Sequence, residues 1–189
     1  TITIDTTVAH RGAQSIKAHT PLRNAGQAGY AILLESQTFT ATPATLWVRG
    51  WFRLSALPAG NNGMELIFAG QNPQPQQGDY VFMHAGDLGL YDQFDGTIMN
   101  NATVPPLNTW FCVVFQVTLA TTATGVMKMT SDSQPPVTLN NVVTQSSPPI
   151  DLLQIGIGYA SGNVNVSQPA TDMWMDDILV SGSTLTCAD

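Results

Sequence analysis

A chain of 189 residues with a formal charge of −7 and only 6 Lys plus Arg offers no electrostatic footprint for a phosphate backbone, which argues against nucleic acid as a partner. Charged residues make up 10% of it, against ~25% in typical soluble domains; uncharged groups, 22 Thr among them, carry the polarity instead. No apolar run approaches the ~20 residues of a membrane-spanning helix, and the length suits one domain, 1–189, with a sizeable core.

Apolar and polar residues alternate with a period near two. In chain order this predicts strands over Thr1–Thr6, Ala13–His19, Tyr30–Glu35, Ala44–Leu54, Met64–Ala69, Asp79–His84, Leu88–Phe94, Trp110–Thr118, Gly125–Ser131, Leu152–Tyr159 and Asp172–Ser181. Between them stand breakers such as Pro58–Gly63, the Gln71–Gln77 loop, Pro105-Pro106, Pro135-Pro136 and Pro148-Pro149. No segment carries a capped helical stripe. About eleven strands at this spacing imply an all-β, two-sheet antiparallel β-sandwich.

The chain opens directly on Thr1-Ile2-Thr3-Ile4 without a signal-peptide pattern, as a mature domain or a piece of a longer secreted protein would. Its composition is that of an extracellular protein. Of the 2 cysteines, Cys112 falls in an apolar strand and Cys187 near the C-terminus. A disulfide between them is the expectation, with two buried thiols as the competing reading. Asn101-Ala102-Thr103 and Asn165-Val166-Ser167 fit the glycosylation sequon, a pattern that arises by chance in such a chain.

Alternation splits each strand into two faces. Trp47, Arg49, Trp51 and Arg53 share one face against Val48, Gly50, Phe52 and Leu54. Glu65 and Gln71 oppose Met64, Leu66 and Phe68; Tyr80, Phe82 and His84 oppose Val81 and Met83. Tyr91 and Gln93 share a face, Gln116 opposes Phe115 and Val117, Lys128 stands between two Met, and Gln154 stands between Leu153 and Ile155. Trp and Tyr rings stack on the C–H face of a pyranose, while amide, guanidinium and carboxylate groups bond its hydroxyls. A single concave face holding Trp47, Arg49, Trp51, Arg53, Glu65, His84, Tyr91, Gln93 and Gln116 is therefore the expected site for a polysaccharide; a solvated outer sheet is the bland alternative.

Three segments resemble the jelly rolls of the concanavalin A-like lectin and glucanase superfamily, which includes carbohydrate-binding modules and polysaccharide lyases. They are Ala9–Ala18, Trp47–Arg53 and the closing Met173-Trp174-Met175-Asp176-Asp177-Ile178-Leu179-Val180, in the order and separation of a whole domain. The resemblance implies a jelly roll. It also implies a structural calcium on Asp176 or Asp177, with oxygens from around Asp5 and His10–Ser15.

Departures from the family patterns are equally informative. Glu35 and Glu65 fall on different strands, which removes the paired carboxylates of a retaining glucanase. The alginate-lyase members carry R-x-E-x-R and Q-x-H strands; here Arg49–Arg53 lacks the Glu and Phe82-Met83-His84 lacks the Gln. The candidates left for β-elimination are His84, Tyr80 or Tyr91 for the proton and Arg49 or Arg53 for the uronate. Three readings stand: a carbohydrate-binding domain, a lyase-like enzyme, and a structural or adhesive subunit of an extracellular assembly.

Overall fold

A computed structural model describes residues 1–35, 44–71, 77–100, 103–132, 134–145, 150–159 and 165–188. The Gln71–Gln77 loop, the Asn101 sequon and Pro148-Pro149 lie wholly or partly outside them. One antiparallel sheet has seven strands in the order β1 (Ile2–Asp5), β2 (Ser15–Thr20), β13 (Thr171–Ser181), β4 (Thr45–Leu54), β9 (Phe111–Thr118), β10 (Gly125–Ser131) and β11 (Val137–Val142). The other has six, in the order β3 (Gly29–Glu35), β12 (Leu152–Tyr159), β5 (Gly63–Gly70), β6 (Gly78–His84), β7 (Asp87–Asp92) and β8 (Thr97–Asn100). Among the described residues no helix is long and apolar enough to cross a membrane.

The core lies between the sheets and is built by the expected alternation. Val48, Phe52 and Leu54 meet Phe111, Val113, Phe115, Met127, Met129, Met173 and Met175 from one side. Met64, Leu66, Ile67, Val81, Met83, Leu88, Leu90, Ile157 and Tyr159 close on them from the other. Burying a single such side chain stabilises the fold by ~1.5–3 kcal/mol, so this layer fixes which way every neighbouring residue points.

Two strands were not predicted, β8 and β11. Each lies at a sheet edge, where one flank has no strand to demand apolar pairing. In β8 three of four residues are exposed. In β11 Asn141 takes a φ of 59°, and the register with β10 shifts near that end, so its alternation fails in the sequence.

β5 corrects a predicted face. Its register with β6 shifts between Glu65 and Ile67, so Leu66 and Ile67 both enter the core and the phase inverts beyond them. Phe68, expected inside with Met64, instead lies against the outward ring of Tyr80 at 4.6 Å between centroids.

The C-terminal segment after β13 folds back across the outer face of the seven-stranded sheet. Cys112 and Cys187 are joined in a disulfide, as expected. Beside it Leu185 is buried with Val114, and Trp47 and Trp51 pack on this cluster. Arg49 Nη1 donates to the carbonyl of Thr186 at 3.3 Å. The disulfide spans 75 residues, so its loss frees a long loop in the unfolded chain and costs about 2–5 kcal/mol. Cys187→Ser is expected to lower the denaturation midpoint accordingly and to shift the tryptophan emission towards that of hydrated rings, read by fluorescence. An unchanged midpoint and spectrum would show that the strap contributes nothing.

At one end of the core, Asp79 of β6 faces Asp92 of β7 as its cross-strand partner, and both are fully buried. Asp92 Oδ1 accepts the backbone N–H of Phe94 at 2.8 Å, whereas among the described residues neither carboxylate oxygen of Asp79 has a donor. Burial first, then the charges of Asp92 and Asp95, push the Asp79 carboxyl well above its ordinary 3.8. A raised acid keeps its proton in the folded state after the unfolded state has lost it. Stability is therefore full below about pH 4 and falls as pH rises towards the folded value. Asp79→Asn removes the titrating group. The variant should unfold at a higher temperature than the parent at about pH 7, with the difference vanishing near pH 4; thermal unfolding across pH measures both.

Candidate functional site

The outer face of the six-stranded sheet carries a cleft of about 420 Å³, lined by Asn61, Gly63, Glu65, Tyr80, Phe82, His84, Tyr91, Gln93, Ile98 and Asn165. Strands β6 and β7 set its floor, because Val81, Met83, Leu88 and Leu90 point into the core and their neighbours must point out. Tyr80 and Tyr91 stand directly across from one another, stacked at 5.6 Å between centroids. Phe82 meets Tyr91 edge-on at 6.1 Å. The Tyr80 hydroxyl donates to Gln93 Oε1 at 3.1 Å, which fixes both polar ends. At the rim Asn100 Nδ2 lies 3.3 Å from His84 Nδ1.

Glu65 sits deepest. Its cross-strand neighbour in β12 is Gly158, where an added Cβ would lie 2.5 Å from Glu65 Oε2; a residue with a side chain there would displace the carboxylate. Burial pushes the Glu65 carboxyl up to about 7. Burial also raises the Tyr80 hydroxyl, with the Glu65 charge as the next cause, and the same two causes raise Tyr30 on β3. The arrangement combines a row of stacking rings with an amide, a carboxyl, an imidazole and phenols that exchange hydrogen bonds.

Of the residues expected to share one face, Glu65, His84, Tyr91 and Gln93 do meet in this cleft, together with Tyr80. Trp47, Arg49, Trp51 and Arg53 do not. They lie on β4, in the other sheet, and point away from the core in the opposite direction. Gln116 is the cross-strand partner of Trp47 and goes with them.

That second face is occupied by the chain itself. The disulfide strap packs on Trp47 and Trp51, and the His10 ring stacks on Trp51 at 3.8 Å. Lys17 and Arg53 lie over the Trp174 ring at 4.9 and 5.0 Å, since both are cross-strand neighbours of Trp174. The pairing of two Trp with two Arg at period two, read as a ligand face, is here a docking surface for the opening loop and the C-terminus. His84, Tyr80 and Tyr91 are accordingly separated from Arg49 and Arg53 by the thickness of the sandwich.

The acids named for calcium are engaged by donors. Asp176 Oδ2 accepts the backbone N–H groups of His10 and Arg11 at 2.8 and 3.1 Å, and Oδ1 accepts that of Asp177 at 2.9 Å. Asp177 Oδ2 meets His10 Nδ1 at 2.9 Å. Asp5 accepts from Trp174 Nε1 at 2.7 Å and from Thr7 and Val8; the Trp174 bond first, then those of Thr7, hold its carboxyl well below the usual range. Calcium takes ~6–8 oxygen ligands and no N–H donors. Among the described residues no three His, Cys, Asp or Glu side chains form a metal-holding group. As placed, Asp5, Asp176 and Asp177 do not fit the ion.

Sequence reasoning missed Asn61, Phe82, Ile98 and Asn165 as lining residues. Phe82 was legible from its strand, lying in phase with Tyr80 and His84. The others sit on an unpredicted strand or on loops, where periodicity says nothing.

No family model matches the chain, and no curated protein matches it. Solved structures do match in fold. An endo-β-1,4-glucuronan lyase from the fungus Trichoderma reesei superposes with a TM-score of 0.73 at 17% identity, over 97% of this chain and 87% of that one. The cellulose-induced protein Cip1 gives 0.68 at 18% identity, over 99% and 88%. A marine alginate lyase from Aplysia kurodai gives 0.66 at 10% identity, over 95% and 86%. At these identities the likeness establishes architecture alone: the chain has the two-sheet jelly-roll fold that these proteins share.

Proposed function

We propose that this protein binds a polysaccharide in the cleft on its six-stranded sheet. The observation that carries the reading is the row of Tyr80, Phe82 and Tyr91 beside Glu65, His84 and Gln93 in one cleft. Rings on a rigid sheet lose little freedom on binding, and polar groups already held by partners need little reordering. The fold neighbours named as a glucuronan lyase and an alginate lyase are consistent with a glycan partner. The disulfide and the sparse charge support an extracellular setting.

The β-elimination alternative needs a cation to neutralise the uronate carboxylate beside the proton-transfer groups. Arg49 and Arg53, the residues named for that part, lie in the opposite sheet, so the constellation is not assembled. The assembly-subunit alternative has as its main feature the Trp47–Arg53 face, which the protein covers with its own strap.

Two substitutions separate the cleft from that covered face. Tyr91→Ala should weaken polysaccharide retention by about thirty-fold, the ~2 kcal/mol of one anchoring aromatic, while leaving the denaturation midpoint nearly unchanged. Trp51→Ala should do the reverse. It removes the ring between His10 and the strap, at the lower end of the ~3–5 kcal/mol seen for buried Trp, and leaves retention by the folded fraction intact. Affinity electrophoresis and chemical denaturation on the same two variants provide the comparison. Retention lost with Trp51 and kept without Tyr91 would place the ligand on the other sheet.

A further inference from the structure

We infer that the cleft selects electrically neutral polysaccharides and rejects polyuronates; this deepens the binding proposed above and rests on it. The argument is an inventory of positive charge. The sequence holds 6 Lys and Arg, all among the described residues, and none lines the cleft. Lys17 and Arg53 embrace Trp174, Arg49 reaches the C-terminal strap, and Lys128 points outward from β10 between the core residues Met127 and Met129. All of these belong to the seven-stranded sheet. Arg11 lies in the opening loop, 3.8 Å from Asp177. Arg23 packs its side chain against Gly29 and exchanges backbone hydrogen bonds with Gln168. The segments outside the described residues contain no Lys, Arg or His, so they bring no cation to the cleft.

The ionisable groups within the cleft favour the same choice. Glu65 is its carboxylate. Asp87, cross-strand from His84 and in phase with Tyr91 rather than with Leu88 and Leu90, adds a second acid to that side of the sheet. His84 is the sole basic side chain in the lining, and the nitrogen facing its Nδ1 belongs to the amide of Asn100, an N–H donor. A uronate bound on the Tyr80–Tyr91 platform would have its carboxylate desolvated beside Glu65 with no Lys or Arg in the lining to offset it, a costly arrangement where water is scarce. A neutral pyranose asks only for a ring face to stack on and for hydroxyl partners, which Glu65, Gln93, Asn61 and Asn165 offer.

The test is affinity electrophoresis of the whole chain at about pH 7.5 in gels containing neutral polymers (mixed-linkage β-glucan, xylan, galactomannan, glucomannan) or acidic ones (polyglucuronate, alginate, polygalacturonate). The expected result is retardation by at least one neutral polymer and by no acidic one. That retardation should disappear in Tyr91→Ala and persist in 0.5 M NaCl, since stacking and neutral hydrogen bonds lack a screened Coulomb component. Retardation by an acidic polymer that Tyr91→Ala abolishes would overturn the neutral selectivity and leave the cleft as the binding site. Retardation by none of the polymers, or retardation that Tyr91→Ala leaves unchanged, would overturn the binding reading itself and the selectivity with it.

Discussion

Every strand here is buried on one side against the opposite sheet, and the period of the backbone is two. Those two conditions together decide which residues can meet. Residues that alternate out of the core are sent to one of two surfaces, and the surfaces are separated by two sheets ~10 Å apart with their side chains beyond. Similar chemistry on two strands is thus no sign of a shared site. Trp51 and Tyr91 both project outward and both are ring-bearing neighbours of polar groups, yet one belongs to β4 and the other to β7, in different sheets.

The alternation itself was legible. All eleven strands expected from the sequence occur, each within two residues of its expected ends. The disulfide followed from composition and position. What the sequence hid was sheet membership. Strand β4 pairs with β13 and β9, and β5 with β12 and β6, so the chain crosses between sheets in the Pro58–Gly63 turn. Nothing local to that turn distinguishes a crossing from a hairpin. Grouping Trp47–Arg53 with Glu65 by their chemistry alone therefore gives a face of mixed origin.

The register shift in β5 hid a second feature. Until Glu65 the strand obeys its pattern. Between Glu65 and Ile67 one extra residue is taken up, and from there each side chain appears on the side opposite to that expected. Phe68 thereby joins Tyr80 on the outer face, extending the aromatic row. A matching irregularity occurs in β12 between Ile155 and Gly158, so the carboxyl of Glu65 and the bare backbone of Gly158 come into register where both adjoining strands are locally out of phase. Shifts of this kind re-aim single side chains without disturbing the core, and they leave little trace in a pattern of apolar and polar letters.

Glu65 shows what that re-aiming makes available. A carboxyl at the surface would be ionised throughout the neutral range and strongly hydrated. In the cleft, facing the bare backbone of Gly158, burial raises it to about 7. A carboxyl raised in this way can donate a hydrogen bond as well as accept one. The same burial makes a second negative charge beside it costly, because no Lys or Arg lines the cleft. On the other sheet Lys17 and Arg53 lie over Trp174 and Arg49 bonds the strap. The seven-stranded sheet is thus closed by its own strap and cations, while the aromatic row of the six-stranded sheet lines an open cleft.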